Sequence, residues 1–292
     1  MTSGNTLRLL GMFVLGIACV QIVSGCSEGE KTDATIKVAG STTVLPVVSK
    51  TAERFMDAHP NVKITINPGG SGVGVKSVGS GLVDIGMASR DITAEEMENF
   101  VNVVFEVHAI GRDAVACVVS SEIYDAGVRT LSDKQIRRIY SGEINNWKEV
   151  GGPNKEIFCI DKEAHRGTRQ VFMAYIFADA KAKAMGADLV SGSNNEEQTK
   201  IALSDAAIGM LSHAWLNEDV KGVGIEVDGT VIRPTIENIK GGTYPISRDL
   251  NLITNGKPEG FLKQFIDYIL GHEGQKIVEE LGYVAVKEME TS

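Results

Sequence analysis

The sequence is poor in the residues that build metal centres and redox sites. It has 4 cysteines and 5 histidines in 292 residues, with no CxxC pair and no His-rich spacing. Paired ligands at short spacing are the usual sequence sign of a metal site, so we expect neither a metal nor a cofactor. Cys117 and Cys159 each lie in an apolar run. This favours small buried side chains, although a disulfide between them stays open.

Basic residues are also scarce, since 29 Lys and Arg face 38 Asp and Glu, for a net charge of −9. Nucleic-acid binding depends on clustered cations that release counterions, so we expect no nucleic-acid partner. A small anion is not excluded, because dipoles aimed into a cleft act locally whereas net charge governs solubility and association.

Complete catalytic motifs are lacking. The segment Gly72-Val-Gly-Val-Lys76-Ser77 lacks the glycine that a phosphate-binding P-loop carries directly before its lysine. Gly69-Gly-Ser71-Gly-Val departs from the GxSxG nucleophile elbow at its last position. The pairs Glu95-Glu96 and Glu279-Glu280 lie in helical patterns and are typical of solvated faces. We therefore expect no enzymatic activity.

A long hydrophobic run is also lacking, and the short one at the N-terminus has the features of an export signal. Arg8 precedes 12 uncharged residues, Leu9 to Val20, and Val23-Ser-Gly-Cys26 follows. That run resembles the lipobox of secreted lipoproteins and predicts a signal peptide over 1–25, a lipid on Cys26 and a tether over 26–34. The alternative is an uncleaved anchor, which needs about 20 apolar residues. Both interpretations place the domain on the extracytoplasmic face of the cell membrane.

The rest of the chain alternates short β-prone runs with helix-length segments, which predicts an α/β fold with parallel strand pairs. Two longer β-prone runs, Val103 to Ser120 and Tyr244 to Thr254, bracket a middle α/β unit. They predict two crossing hinge strands between two lobes, each with a mixed sheet flanked by helices. Lobe I would comprise 35–112 and 242–292, and lobe II 113–241. A cleft between lobes is a favoured ligand site.

Three segments place small or hydroxyl-bearing residues where a strand gives way to a helix. They are Gly40-Ser41-Thr42-Thr43, Ser71-Gly72 and Arg166-Gly167-Thr168-Arg169. Such positions cap helices, and their amides and hydroxyls also suit an anion. Asp84 adds one acceptor. Many donors with one acceptor suit an oxyanion that still carries a proton, although Asp84 could instead cap a turn.

Five motifs in order, Gly40 to Thr43, Pro68 to Gly72, Val83 to Ser89, Gly167 to Arg169 and Tyr244 to Arg248, resemble those of the phosphate-binding receptors of phosphate ABC transporters. The resemblance covers essentially the whole mature chain. It implies a two-lobed type II periplasmic-binding-protein fold that closes on phosphate and delivers it to permease and ATPase subunits. Carried over by position, the implied phosphate-binding residues are Thr42, Thr43, Ser71, Gly72, Asp84, Gly167 and Thr168.

Two alternatives stay open at this point. One is a receptor for another tetrahedral oxyanion, such as arsenate or sulfate. The other is a membrane-anchored phosphate sensor or scavenger that works without a permease. If the ligand is phosphate, Asp84 would accept the P–O–H hydrogen bond and repel sulfate, so that Asp84→Asn should weaken phosphate binding and relax the rejection of sulfate.

The third motif departs from the family pattern Arg-x-x-Gly-Ser-Gly-Thr. Lys162 stands at the arginine position and Arg166 at the serine position. We favour a charge swap, in which Arg166 binds the anion; a different anion or weaker binding are the alternatives. Ser41, Lys162 and Arg169 are further candidates. His165 could add pH sensitivity, or be an exposed histidine without a role.

Overall fold

The computed structural model describes residues 34–286. The predicted signal peptide, Cys26 and all of the tether except Ala34 lie outside this range. The strands are β1 (Ala34–Gly40), β2 (Val62–Pro68), β3 (Ile85–Ala88), β4 (Phe105–Ser120), β5 (Thr130–Ser132), β6 (Phe158–Lys162), β7 (Leu189–Ser191), β8 (Ala207–Ser212), β9 (Val220–Gly222), β10 (Gly224–Val227), β11 (Thr230–Ile232) and β12 (Ser247–Asn255).

The α-helices are α1 (Leu45–Ala58), α2 (Ser71–Gly79), α3 (Ala94–Asn99), α4 (Ser121–Asp125), α5 (Asp133–Tyr140), α6 (Gly167–Phe177), α7 (Asn194–Ala202), α8 (Ile236–Lys240), α9 (Gly260–Leu270) and α10 (His272–Glu280). Within the described range, no helix is both long and apolar enough to cross a membrane.

Strand pairing forms one mixed sheet of nine strands in the order β2-β1-β3-β12-β4-β8-β6-β7, with β9 also paired to β4. A separate sheet has the order β11-β10-β5. Strands β1, β2 and β3 are parallel, so their carboxyl ends Gly40, Pro68 and Ala88 lie at the same edge. Helices α1 and α2 begin directly beyond that edge, where α/β folds place their ligands.

The long strand β4 passes from one half of the sheet to the other. Its residues from Phe105 to Ala114 pair with β12, and those from Val115 to Val119 pair with β8. The sequence prediction of a strand that leaves one sheet and enters another is therefore confirmed. The two predicted sheets are joined through β4 into one curved sheet.

The two largest hydrophobic clusters in the described range lie on either side of this passage. One surrounds Phe55 and Phe265 and includes Ile110 of β4 and Leu250 of β12. The other surrounds Trp147 and begins at Ala114 of β4. Cys117 and Cys159 are buried in the second cluster as free thiols, and burial raises the pKa of both thiols.

Several short elements were not predicted from the sequence, chiefly α3, α4, β5, β7 and β9. Helix α3 carries a readable signal, since Thr93 and Glu96 form a reciprocal capping box at its start. The three-residue strands β5, β7 and β9 carry no such signal, because a period of two cannot be recognised over so few residues.

Candidate functional site

Four helices begin around one small cavity. Thr42 and Thr43 precede α1, Gly70 is the N-cap of α2, Gly167 opens α6, and Asn194 opens α7. The lining residues are Ser41, Thr42, Thr43, Gly70, Ser89, Lys162, Arg166, Gly167, Thr168, Ser193 and Asn194. The first amides of a helix have no partner within it, and its dipole makes that end positive. The cavity therefore suits an anion.

The cavity volume is about 10 Å³, roughly the space that one water molecule needs. Its walls come from both halves of the chain. The Asn194 amide nitrogen donates to Thr43 Oγ1 across 2.9 Å, and the two hydroxyls of Thr43 and Thr168 lie 3.4 Å apart.

Gly40 lets the turn after β1, which forms one wall of the cavity, lie close to β3. Its φ is +137°, and a Cβ there would lie 2.2 Å from the carbonyl oxygen of Met87, so only glycine lets β1 end this close to β3. Ser41 follows, donates to Ser89 Oγ at 3.0 Å and accepts from the Thr43 amide at 3.2 Å. This turn presents a hydroxyl-rich surface at the carboxyl edge of the sheet.

Two cations line the opposite wall, and each has a carboxylate partner. Lys162 is buried and forms an ion pair with Glu197, which is also buried. Arg166 binds Glu163 through two nitrogens, at 2.8 and 2.5 Å. Burial lowers the pKa of Lys162 and raises that of Glu197, while the attraction between the two charges opposes both shifts.

A third cation, Arg248 of β12, lies behind the hydroxyls. Its guanidinium forms a buried ion pair with Asp113, with 2.7 Å between Nη2 and Oδ2. The same group donates to Thr168 Oγ1 at 3.0 Å, and to Thr43 Oγ1 and Ser89 Oγ at 3.3 Å each. Arg248 thus joins three of the lining residues.

Seven of the eleven residues proposed from the sequence line the cavity. They are Ser41, Thr42, Thr43, Lys162, Arg166, Gly167 and Thr168. Ser71 lies just behind the wall, where its hydroxyl accepts the Ser89 amide at 3.0 Å. The Gly72 amide donates to the His165 carbonyl at 3.1 Å, so its donor is already used across the cleft.

Asp84 does not belong to the cavity, which corrects the sequence interpretation. It is exposed, directly precedes β3, and accepts the Lys37 amide at 2.7 Å. The cavity lies at the other end of β3, beyond four residues that rise about 13 Å in total. Only the carboxyl end of β3 faces the cavity. Ser89, which follows β3, therefore lines the cavity, and Asp84, which precedes β3, does not.

Arg169 is a second correction. Its Nε binds both oxygens of Asp161, at 2.9 and 3.0 Å, and its Nη2 donates to the Ala182 carbonyl. Arg169 lies in the first turn of α6 and is buried. Arg169 lies almost one helical turn beyond Arg166. Its side chain points into the protein, toward Asp161, and not into the cavity. Its role is to hold α6 against β6.

Sequence reasoning missed five residues of the site. They are Gly70, Ser89, Ser193, Asn194 and Arg248. Ser193 had a readable signal, because Ser193 and Glu196 match a helix start, and the Ser193 hydroxyl does accept the Glu196 amide. Arg248 ends the fifth family motif, but nothing in the sequence assigned it to the cavity, since only the pairing of β12 with β4 brings it there.

The chain matches known proteins over nearly all of its length. A model of the PBP superfamily domain matches residues 26–273. The phosphate-binding protein PstS of Bacillus subtilis is 33% identical over 264 residues, which are 90% of this chain and 84% of that protein. The chain belongs to the PstS family. PstS of Borreliella burgdorferi is 31% identical over 86% of this chain and 90% of that protein.

Solved structures agree with this PstS-family assignment. A protein from Clostridium perfringens, whose structure holds bound phosphate, is 31% identical with a TM-score of 0.78 and matches 87% of this chain and 100% of that chain. An ABC-type phosphate transport receptor from Vibrio cholerae is 28% identical with a TM-score of 0.68, over 85% of this chain and 99% of that chain. The described residues thus form a two-lobed type II periplasmic-binding-protein fold.

Proposed function

We propose that the chain is a high-affinity receptor that binds inorganic phosphate in this cavity and delivers it to an ABC permease. The observation that carries the proposal is the convergence of four helix N-termini on one small, hydroxyl-lined cavity. The names of its relatives, and the bound phosphate in the similar structure from Clostridium perfringens, support phosphate as the anion.

The charges around the cavity explain how a dehydrated anion is held. Lys162, Arg166 and Arg248 are paired with Glu197, Glu163 and Asp113, so the cluster is close to neutral before an anion enters. Much of the stabilisation then comes from aimed dipoles and hydrogen bonds, which are stronger in a site that excludes water. Arg166 binds the anion from the position that a serine occupies in the family pattern.

We infer that binding and release require the two lobes to separate, because the cavity of about 10 Å³ has room for about one water molecule and contacts such as Asn194 to Thr43 and Gly72 to His165 cross between the halves beside it. We place lobe I at 35–112 and 242–292, and lobe II at 113–241. The change from one hydrophobic cluster to the other between Ile110 and Ala114 supports the first boundary. In the second crossing the same change of cluster lies between Ile246 and Leu250, which moves the second boundary to the start of β12, and the hinge is then the crossing segment of β4 with the start of β12.

The receptor acts without chemical turnover. Each carboxylate beside the cavity is held by a cation, so none is placed as a general base. The names of the relatives described above refer to phosphate binding and transport, and none refers to an enzyme.

The receptor works at the extracytoplasmic face of the cell membrane. Export by the signal peptide 1–25 and a lipid on Cys26 would hold it beside the permease and ATPase subunits of a phosphate transporter. Mass spectrometry of Cys26 in the membrane fraction tests the lipid anchor directly.

Calorimetric titration of the purified chain with phosphate tests the function. We expect tight binding and a melting temperature that rises with phosphate concentration, since a ligand of the native state stabilises it by mass action. Thr168→Val, which removes a lining hydroxyl, should weaken binding by about tenfold or more.

Thr199→Val is the matched control, because Thr199 is an exposed residue of α7 and its loss should leave binding unchanged. Absence of binding at millimolar phosphate would contradict the proposed function.

A further inference from the structure

We infer that an exposed apolar patch, formed by Leu82, Val101 and Val104, rests on the lipid surface to which the chain is anchored. This inference rests on the lipid proposed for Cys26, and it adds a membrane contact and a resting orientation to the proposed receptor. None of the three patch residues lines the cavity, so the contact can be tested apart from phosphate binding.

The side chains of the patch are among the most exposed large hydrophobic ones in the described part of the chain. Leu82 is 67% exposed, Val101 80% and Val104 70%. Single exposed hydrophobic residues need no explanation, whereas a cluster of them marks a surface that binds a protein or a membrane.

A pair of aromatic rings joins these residues into one surface. The rings of Phe100 and Phe105 meet edge to face, with their centroids 6.1 Å apart. The Phe100 ring also packs on the end of α2, where a Cβ on Gly79 would lie 2.6 Å from Phe100 Cγ. The two valines of the patch lie directly beside the two rings in the chain, and Leu82 lies three residues beyond Gly79.

The patch lies at the edge of the sheet where β1 begins. Strands β1 and β3 are parallel, and β12 runs antiparallel to both β3 and β4. Asn255 at the end of β12 pairs with Phe105 at the start of β4, so β1, β3 and β4 all start at the same edge. Leu82 lies shortly before β3, and Val104 directly before β4. The cavity lies at the opposite edge, beyond the carboxyl ends of β1 and β3.

The tether joins the domain at the edge that carries the patch. Cys26 precedes Ala34, the first residue of β1, by eight residues, and a chain of that length reaches at most about 29 Å. The starts of β1 and β4 are three strand spacings apart, or about 14 Å. A lipid on Cys26 therefore keeps the patch within reach of the membrane. The cavity lies about 20 Å further on, at the other end of β1, so this contact turns it toward the medium that supplies phosphate.

Tethering makes a small patch sufficient for contact. A short flexible link raises the effective concentration of the second contact to the order of millimolar, so a surface too small to bind a membrane alone becomes occupied.

The charges beside the patch favour apolar contact over attraction to anionic lipid. Asp84 and Glu106 lie near the patch in the chain. Lys257 lies next to Gly256, whose amide donates to the Val104 carbonyl. These charges are mixed, and the whole chain carries −9, so we expect the patch to rest on zwitterionic lipid.

Fluorescence quenching on vesicles tests the contact. The chain from Cys26 onward is coupled through the Cys26 thiol to a maleimide lipid in phosphatidylcholine vesicles with brominated acyl chains. Cys117 and Cys159 are buried and do not react. Leu82→Trp should be quenched, because an apolar surface at the interface lies about 5–10 Å deep in the lipid. The unsubstituted chain gives the background of the native tryptophans.

Leu203→Trp is the matched control. Leu203 is 84% exposed and lies at the end of α7, which leads from the cavity into the other half of the chain. Its quenching should be at least about threefold weaker than that of Leu82→Trp, since it stays outside the interfacial layer. Adding Val101→Asp and Val104→Asp to Leu82→Trp should reduce the quenching to the control level, because the contact scales with buried apolar area.

The outcomes separate this inference from the proposed receptor. Equal quenching of Leu82→Trp and Leu203→Trp, or of neither, would overturn the inference, and so would a Cys26 without lipid in the membrane fraction. Absence of quenching, together with reduced phosphate uptake by cells that carry the two aspartate substitutions, would assign the patch to a protein partner instead. Calorimetric titration of the same chains with phosphate is expected to match the wild type. Its failure in the wild type would contradict the receptor function and leave the result on the patch intact.

Discussion

At the scale of single residues, the partner that a side chain already has decides what it can do. Arg166 and Arg169 are three positions apart on α6 and its N-cap. Arg169 is buried against Asp161 and serves the fold, whereas Arg166 lines the cavity. The partner of Arg166 is Glu163, which has 42% of its side chain exposed. Solvent can therefore stabilise that carboxylate when the Arg166 guanidinium binds a ligand.

Substitution of Arg166 tests this distinction. Arg166→Gln should weaken phosphate binding by about tenfold to a hundredfold, the effect of losing a hydrogen bond to a charged group. Isothermal titration calorimetry measures it. Asp84→Asn is the matched control and should bind as wild type, because Asp84 is exposed and lies at the far end of β3. A comparable loss in Asp84→Asn would restore the original sequence interpretation.

At the scale of elements, the site depends on how closely four helix starts approach one another. Gly167 opens α6 with no side chain, and a Cβ there would lie 2.3 Å from Ser71 Oγ and 2.8 Å from Ser89 Oγ. Gly70 opens α2 with φ +93°, and Arg166 Cδ would lie 2.9 Å from its Cβ. Glycine at both helix starts lets α6 lie directly against α2.

Gly167→Ala should therefore prevent the two walls from meeting and weaken phosphate binding by about tenfold or more, since overpacking typically costs 1–3 kcal/mol. The melting temperature without ligand should change less than the one with phosphate. Gly271→Ala, between α9 and α10, serves as the control for affinity, because Gly271 does not line the cavity and its φ of −81° suits alanine, although its Cβ would meet the Asp267 carbonyl oxygen closely, at 3.2 Å, and lower stability slightly. Equal effects of both substitutions on affinity would argue against the contact.

At the scale of the whole molecule, a small set of contacts joins the two halves of the chain. His165 Nε2 lies 2.9 Å from the Gly69 carbonyl oxygen, and the Gly72 amide donates to the His165 carbonyl. Lys181 and Glu95 form an ion pair between the halves, with both side chains more than half exposed. His165, which is neither isolated nor fully exposed, is thus a contact between the lobes.

Removal of these contacts should affect how long phosphate stays bound. His165→Ala should raise the dissociation rate several-fold, because the hydrogen bond to Gly69 must break when the lobes separate. Lys181→Ala should change it by less than about twofold, since exposed ion pairs contribute little. Stopped-flow exchange of bound phosphate measures both rates. Faster release from Lys181→Ala than from His165→Ala would show that the surface pair holds the lobes instead.

Much of the fold was predictable because its signals are local. The strands over 35–39 and 62–67, the long run ending at Ser120 and the helix starting near Gly72 were predicted close to their observed bounds. Periodicity and glycine placement act over a few residues and can be recognised in a single sequence. The passage of β4 between the two halves was predicted, but its partners β12 and β8 could not be recognised, since they depend on which distant strands meet.

The sequence by itself determined the α/β fold and the strand-to-helix turns that carry Ser41, Thr42, Thr43, Gly167 and Thr168. Only the tertiary structure decided which other side chains join them. It brought Arg248 in through β12, turned Arg169 inward and left Asp84 at the far end of β3. The reason is that the type of a turn depends on neighbouring residues, whereas the end of a strand that meets a ligand depends on how the whole sheet is assembled.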